Sequence, residues 1–119
     1  EEHRPLANRI NIVLSHHKLT ISADVYHTFQ KSLDFAQKKL EIKKIFVIGG
    51  AQVYNIALRH PDLRYIYQTI IHGTFDCDTF FPNFDSTYFG KILVQSIEAQ
   101  DLHTQQRYEL DFFRWKKLR

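Results

Sequence analysis

The chain has 119 residues, 44% hydrophobic, 14% aromatic and 24% charged, a balance that fits one globular domain and excludes intrinsic disorder, collagen-like repeats and low-complexity sequence. Its formal net charge of +3 is a mild excess that an anionic ligand or a solvated lysine face would equally explain. No apolar run approaches the roughly 20 residues that span a bilayer, so no membrane partner is expected; nor is a nucleic acid, because the basic C-terminal end is more simply a solvated strand terminus.

In chain order, residues 1–9 are polar, carry Pro5 and read as a connection. Ile10-Asn11-Ile12-Val13-Leu14 is β-branched and apolar, the pattern of a buried strand. Residues 16–23 are polar and give no clear element, and residues 25–29 fit a short strand. Ser32 is a candidate N-cap, with Leu33, Phe35, Ala36 and Leu40 following at helical spacing. Lys38, Lys39, Lys43 and Lys44 fall near the end of that helix, where cations suit the macrodipole. Ile45-Phe46-Val47-Ile48 reads as a fully buried strand stopped by Gly49-Gly50, and residues 52–59 as a second helix ended near Pro61. Residues 65–71 read as a strand, and residues 91–97 and 106–115 as a closing strand pair. This order predicts an α/β domain, a sheet with flanking helices and an antiparallel edge.

The stretch richest in chemistry is Phe46-Val47-Ile48-Gly49-Gly50-Ala51-Gln52-Val53-Tyr54. A strand runs into two glycines and a helix follows at once. Glycine lets a ligand approach the backbone, and the N–H groups of a first helical turn point at an anion. The spacing is not that of a dinucleotide GxGxxG fingerprint, and a tight turn explains the residues alone as well as phosphate binding does. The seven histidines, among them His16, His17, His27, His60, His72 and His103, have no metal-ligand spacing, and no metal site is expected. Asp76 and Asp78 alternate and would point to opposite faces of a strand. The single cysteine, Cys77, has no base beside it in sequence and no internal disulfide partner; the cytosol is the expected compartment, with the mitochondrial matrix as the alternative. The basic end Arg114-Trp115-Lys116-Lys117-Leu118-Arg119 reads as a solvated strand terminus.

Four stretches together resemble the dihydrofolate reductase family: Arg4-Pro5-Leu6-Ala7-Asn8-Arg9 with the strand up to Ser15, Phe46 to Tyr54, Ile66-Tyr67-Gln68-Thr69, and Asp76-Cys77-Asp78-Thr79-Phe80-Phe81-Pro82. Each motif alone is modest, but their order and spacing match the family over essentially the whole chain. The resemblance implies a mixed, mainly parallel sheet with flanking helices and an antiparallel C-terminal edge. It places residues 1–119 in the C-terminal part of a single such domain. The family's first strands, its mobile loop and its catalytic carboxylate have no counterpart here, and the chain begins without Met. The missing segment is therefore expected upstream or on a second chain, and without it the sheet would be split, with unpaired backbone along its edges.

Roles follow from the resemblance residue by residue. Arg9 matches the arginine that grips the glutamate carboxylate of folate, for which a planar guanidinium offers a bidentate fork. Leu6 matches an apolar contact to the aminobenzoyl ring. Ile48 matches a residue whose backbone carbonyl meets the pterin, and Tyr54 a tyrosine lining the pterin–nicotinamide region. Thr69 matches a supporting threonine that hydrogen-bonds the catalytic carboxylate and a pterin amino group. Gly49-Gly50 matches a pair joined by a cis peptide, and Ala51, Gln52 and Val53 open the helix that would face the cofactor pyrophosphate. Ser15 matches a serine near the adenosine 2′-phosphate, His16 stands where an arginine is common, and Lys31 matches a basic residue near the adenine. The implied activity is NADPH-dependent reduction of 7,8-dihydrofolate to tetrahydrofolate, a step of one-carbon metabolism. The alternative is a non-catalytic, reductase-like binding or assembly subunit. A related riboflavin-pathway reductase shares the fold, but Arg9 and the Asp-Thr-Phe-Phe-Pro stretch argue against it. In many protists the reductase is fused to thymidylate synthase, which leaves such a fusion open.

Overall fold

A computed structural model of the chain describes residues 7–16 and 24–118. The contacts divide it into two units, Glu1–Ile48 and Gly49–Arg119.

In the first unit, β1 (Ile12–Leu14) pairs in parallel with β2 (Asp24–Tyr26), and α1 (Phe29–Gln37) packs against both. The strand expected at residues 25–29 thus ends at Tyr26, because α1 starts three residues later. The helix is capped by Thr28, whose Oγ1 accepts from the Lys31 backbone N–H at 3.2 Å. Ser32, expected to be the cap, instead sits one turn inside and donates its hydroxyl to the Phe29 carbonyl at 2.6 Å. Ser32 and Ala36 lie four residues apart and form the buried face of α1. Tyr26 stacks on Phe35 at 5.2 Å, and Lys39 lies over the same ring. Of the four lysines expected at the helix end, Lys38 is the C-cap and the others follow it.

Residues 45–48 do not form the buried strand their composition predicts. They carry no strand pairing, and Ile45, Phe46 and Ile48 are 45%, 65% and 74% exposed. A strand is defined by its neighbour, and among the described residues none runs alongside this segment.

In the second unit, α2 (Ala51–Leu58) follows the two glycines and precedes a three-stranded antiparallel sheet in the order β3-β5-β4. Its strands are β3 (Tyr65–Ile71), β4 (Phe89–Gln100) and β5 (Arg107–Lys117). The closing pair is longer than the sequence indicates, since residues 89–100 and 107–117 stay in register apart from a bulge at Val94. The β4–β5 turn is held by Asp101, whose Oδ1 accepts from the N–H groups of His103 and Thr104.

Alternation gives this sheet two unlike faces. Ile66, Gln68 and Ile70 share one face with Trp115, Phe113 and Asp111. Tyr65, Tyr67, Thr69 and Ile71 share the other with Lys116, Arg114, Phe112 and Leu110. The first face is half-covered on β3 and the second is exposed there. Covering the first are Phe84, edge-on to Trp115 at 5.3 Å, and Lys91, which lies over Phe113 and Trp115 at 4.1 and 4.9 Å. Trp115 Nε1–H donates to Gln68 Oε1 at 2.9 Å and ties β5 to β3.

Among the described residues the parallel pair and the antiparallel triplet are two separate sheets. The expected apolar core is small: among the described residues the buried ones are Ala36, Ala57 and Ser32, while Phe46, Ile48, Tyr67 and Phe80 are all at least 60% exposed.

Candidate functional site

In the second unit the two glycines make the sharpest backbone feature among the described residues. Gly49 has φ +112° and the Gly49–Gly50 peptide is cis. A Cβ on Gly49 would sit 3.4–3.5 Å from the Tyr54 ring, so Tyr54 closes directly over this turn. Gly50 is the N-cap of α2; its carbonyl accepts from Tyr54 N–H at 2.9 Å, and no side chain caps the helix. The N–H groups of Ala51, Gln52 and Val53 are therefore left for an incoming acceptor, and the dipole favours an anion there. A Cβ on Gly50 would meet nothing within 4 Å, so the approach to these donors is open. The arrangement fits a phosphate group, and so fits the pyrophosphate of a dinucleotide.

Thr69 lies on the exposed face of β3. No carboxylate shares that face of the three strands: its β5 residues are Tyr108, Leu110, Phe112, Arg114 and Lys116, and its β4 residues include Ile92, Gln95, Ile97 and Ala99. The sheet's carboxylates lie on the opposite face. There Asp111 accepts from Ser96 Oγ–H and His72 Nε2–H, both at 2.6 Å, and these bonds hold its carboxyl below the ordinary carboxylate range. Glu98 is likewise lowered by Arg107, which donates to it at 2.6 Å.

In the first unit Ser15 and His16 follow β1 directly, and His27 and Thr28 follow β2. The two strand ends are joined by Ser15 N–H donating to the Tyr26 carbonyl at 2.9 Å and by His27 Nδ1–H donating to the Ser15 carbonyl at 2.6 Å. Ser15 and His16 thus stand beside the start of α1, which carries Lys31 in its first turn. His27 carries no sequence motif; parallel strand ends are the signal that would have found it. Arg9 is exposed beside the Asn8 turn, where φ is +60°, and its carbonyl accepts from Asn11 Nδ2–H at 3.1 Å. Ile48 is the exposed residue before the glycine turn. Leu6 lies outside the described residues. Among the described residues no three His, Cys, Asp or Glu side chains converge on a metal position.

Comparison with known proteins gives one consistent result. A family model described as dihydrofolate reductase matches residues 2–117. A dihydrofolate reductase of Heliothis virescens is 36% identical over 106 residues, covering 84% of this chain and 57% of that protein. A bifunctional dihydrofolate reductase-thymidylate synthase of Glycine max is 34% identical over 97 residues, covering 74% of the chain and 18% of the relative. The structure of the Schistosoma mansoni dihydrofolate reductase superposes with a TM-score of 0.76 at 28% identity, over 98% of this chain and 67% of that one. The chain spans about half the length of the curated single-function relatives it matches, at 57%, 43% and 49% for three of them.

Proposed function

The chain belongs to the dihydrofolate reductase family, and from that membership we propose that it forms part of an oxidoreductase that reduces 7,8-dihydrofolate to tetrahydrofolate with NADPH. The observation that carries this reading is the glycine turn: Gly49 at φ +112°, Tyr54 over it, and an α2 N-terminus with no side-chain cap.

NADPH supplies a hydride when bound. The N–H groups of Ala51, Gln52 and Val53 take the pyrophosphate, and the absent Cβ of Gly50 lets it approach. Ser15, His16 and Lys31 serve the adenosine end. An imidazole at His16 lacks the two-pronged donor edge a guanidinium offers a phosphate, so selection of NADPH over NADH rests more on Ser15 and Lys31 than it would with arginine there. Tyr54 and the Ile48 carbonyl border the ring being reduced. Leu6 contacts the aminobenzoyl ring, and Arg9 takes the glutamate carboxylate by its two-pronged donor edge. Thr69 orients a carboxylate and a pterin amino group.

Proton delivery needs an acid near the pterin. The Thr69 face offers none among the described residues, so the proposal assigns that acid to polypeptide outside residues 1–119, either continuous with them or on a second chain. The same polypeptide would pair with the open strand edges and cover the apolar face around Thr69. The bifunctional soybean relative makes a thymidylate synthase fusion one form the whole protein can take, and the lone Cys77 is in keeping with a cytosolic or mitochondrial setting.

The test is dihydrofolate-dependent oxidation of NADPH by the full-length protein. Turnover that requires both substrates is expected. Tight NADPH binding without turnover would favour the non-catalytic subunit instead, and no binding of either ligand would refute the reading.

A further inference from the structure

The segment between β3 and β4 contains no regular secondary structure from residue 72 to residue 85, and the side chains of residues 71–81 are all exposed. Ring contacts fasten it. Near its start Phe75 meets Tyr108 at 5.4 Å; near its end Phe84 meets Phe89 at 5.4 Å and Trp115 at 5.3 Å. Between these anchors Phe81 reaches α2 and stacks on Tyr54, centroid to centroid 5.0 Å and tilted 48°.

We propose that Phe81 is a positioning residue for Tyr54, fixing the ring that closes over the Gly49–Gly50 turn. The proposal deepens the reading of the glycine turn as the nucleotide site and rests on it. Tyr54 has two soft torsions and only partial burial. A tyrosine held only by its own helix samples more than one rotamer. Here its ring borders the space a Cβ on Gly49 would enter, 3.4–3.5 Å from that position, and meets Phe81 in a tilted pair, an arrangement that aromatic rings prefer to a face-to-face sandwich. Phe81 is in turn steadied by Phe84, edge-on at 6.2 Å, and Phe84 by Trp115, whose indole N–H is bonded to Gln68 in β3. The orientation of Tyr54 is thereby referred to the three-stranded sheet rather than to α2 alone. Phe81 itself is 47% exposed, so its truncation removes less core packing than loss of a fully buried ring, and its effect on Tyr54 is separable from an effect on stability.

Two readouts in the full-length protein test this. The ring current of Tyr54 shifts the Gly49 α-protons, a signal that needs no ligand. In Phe81→Ala that shift collapses toward the value of a Tyr54→Ala control, and in Phe81→Tyr, which keeps the stack, it is retained. NADPH dissociation constants by calorimetry rise roughly 3- to 10-fold in Phe81→Ala, the size of effect an aromatic pair supplies. The KM for NADPH rises with them while kcat changes less. Phe75→Ala, which loosens the other end of the same segment without touching Tyr54, leaves both readouts at the wild-type value. An unshifted Gly49 signal in Phe81→Ala, or an equal loss in Phe75→Ala, overturns the proposal. A wild-type protein that does not bind NADPH refutes the functional reading of the turn, while the Gly49 signal still decides the role of Phe81.

Discussion

Substituting the two glycines one at a time separates what the backbone requires from what a ligand requires. Gly49 holds φ +112°, a region that residues with a Cβ rarely adopt. Forcing alanine there costs about 1–3 kcal/mol of backbone strain. The new methyl would lie 3.4–3.5 Å from the Tyr54 ring, ordinary contact, so steric overlap adds little. Gly50 is different. Its φ of −82° is open to any residue and its Cβ would meet open space. Alanine is a poorer N-cap than glycine by up to about 1 kcal/mol, but it also restricts the unfolded chain by about 0.4–1 kcal/mol, and the two nearly cancel. Urea denaturation of the full-length protein should therefore show Gly49→Ala destabilised by about 1–3 kcal/mol and Gly50→Ala within about 1 kcal/mol of wild type. NADPH affinity should fall in Gly50→Ala, because the methyl enters the path to the Ala51–Val53 donors. Equal stability of Gly49→Ala and wild type, or a larger loss at Gly50, would refute the strain argument.

Arg9→Leu should weaken folate binding by about 1.5–3 kcal/mol, the worth of a charge-assisted hydrogen bond, with no change in melting temperature; unchanged folate affinity would remove Arg9 from the site. The carboxyl of Asp111 lies below its ordinary range through bonds from Ser96 and His72. Its contribution to stability is thus fully present above the unfolded carboxylate pKa and is lost as pH falls through the depressed folded value. Melting temperature against acid pH should flatten over that window in Asp111→Asn, and an unaltered profile would show the bonds to be energetically silent. Residues 1–119 expressed alone should melt without a cooperative transition, given how few side chains are buried; a sharp calorimetric peak would contradict this.

Much of the second unit was legible in the sequence because its signals are local. The strand Tyr65–Ile71 coincides with its expected bounds, since a β-branched and aromatic run is bracketed by Pro61 and Gly73. The glycine turn and α2 are equally plain, and the resemblance foresaw the cis Gly49–Gly50 peptide. What failed was context. The run Ile45–Ile48 has every mark of a buried strand, but pairing is a property of neighbours and none lies beside it among the described residues. Ser32 and Thr28 are both good caps, and the choice fell to Thr28 because Ser32 packs on the buried face with Ala36. Gln68–Trp115 and Tyr54–Phe81 join residues 47 and 27 positions apart, contacts no sequence window contains. His27 was passed over for the same reason: its bond to the Ser15 carbonyl exists only because β1 and β2 end side by side.

The central claim is that the open N-terminus of α2 receives the cofactor's phosphates. Backbone amide NMR of the full-length protein during titration with NADPH tests it residue by residue. The largest shifts are predicted for the N–H groups of Gly50, Ala51, Gln52 and Val53, with a second set at Ser15 and His16. Saturable binding that leaves the Gly50–Val53 amides unmoved would contradict the account.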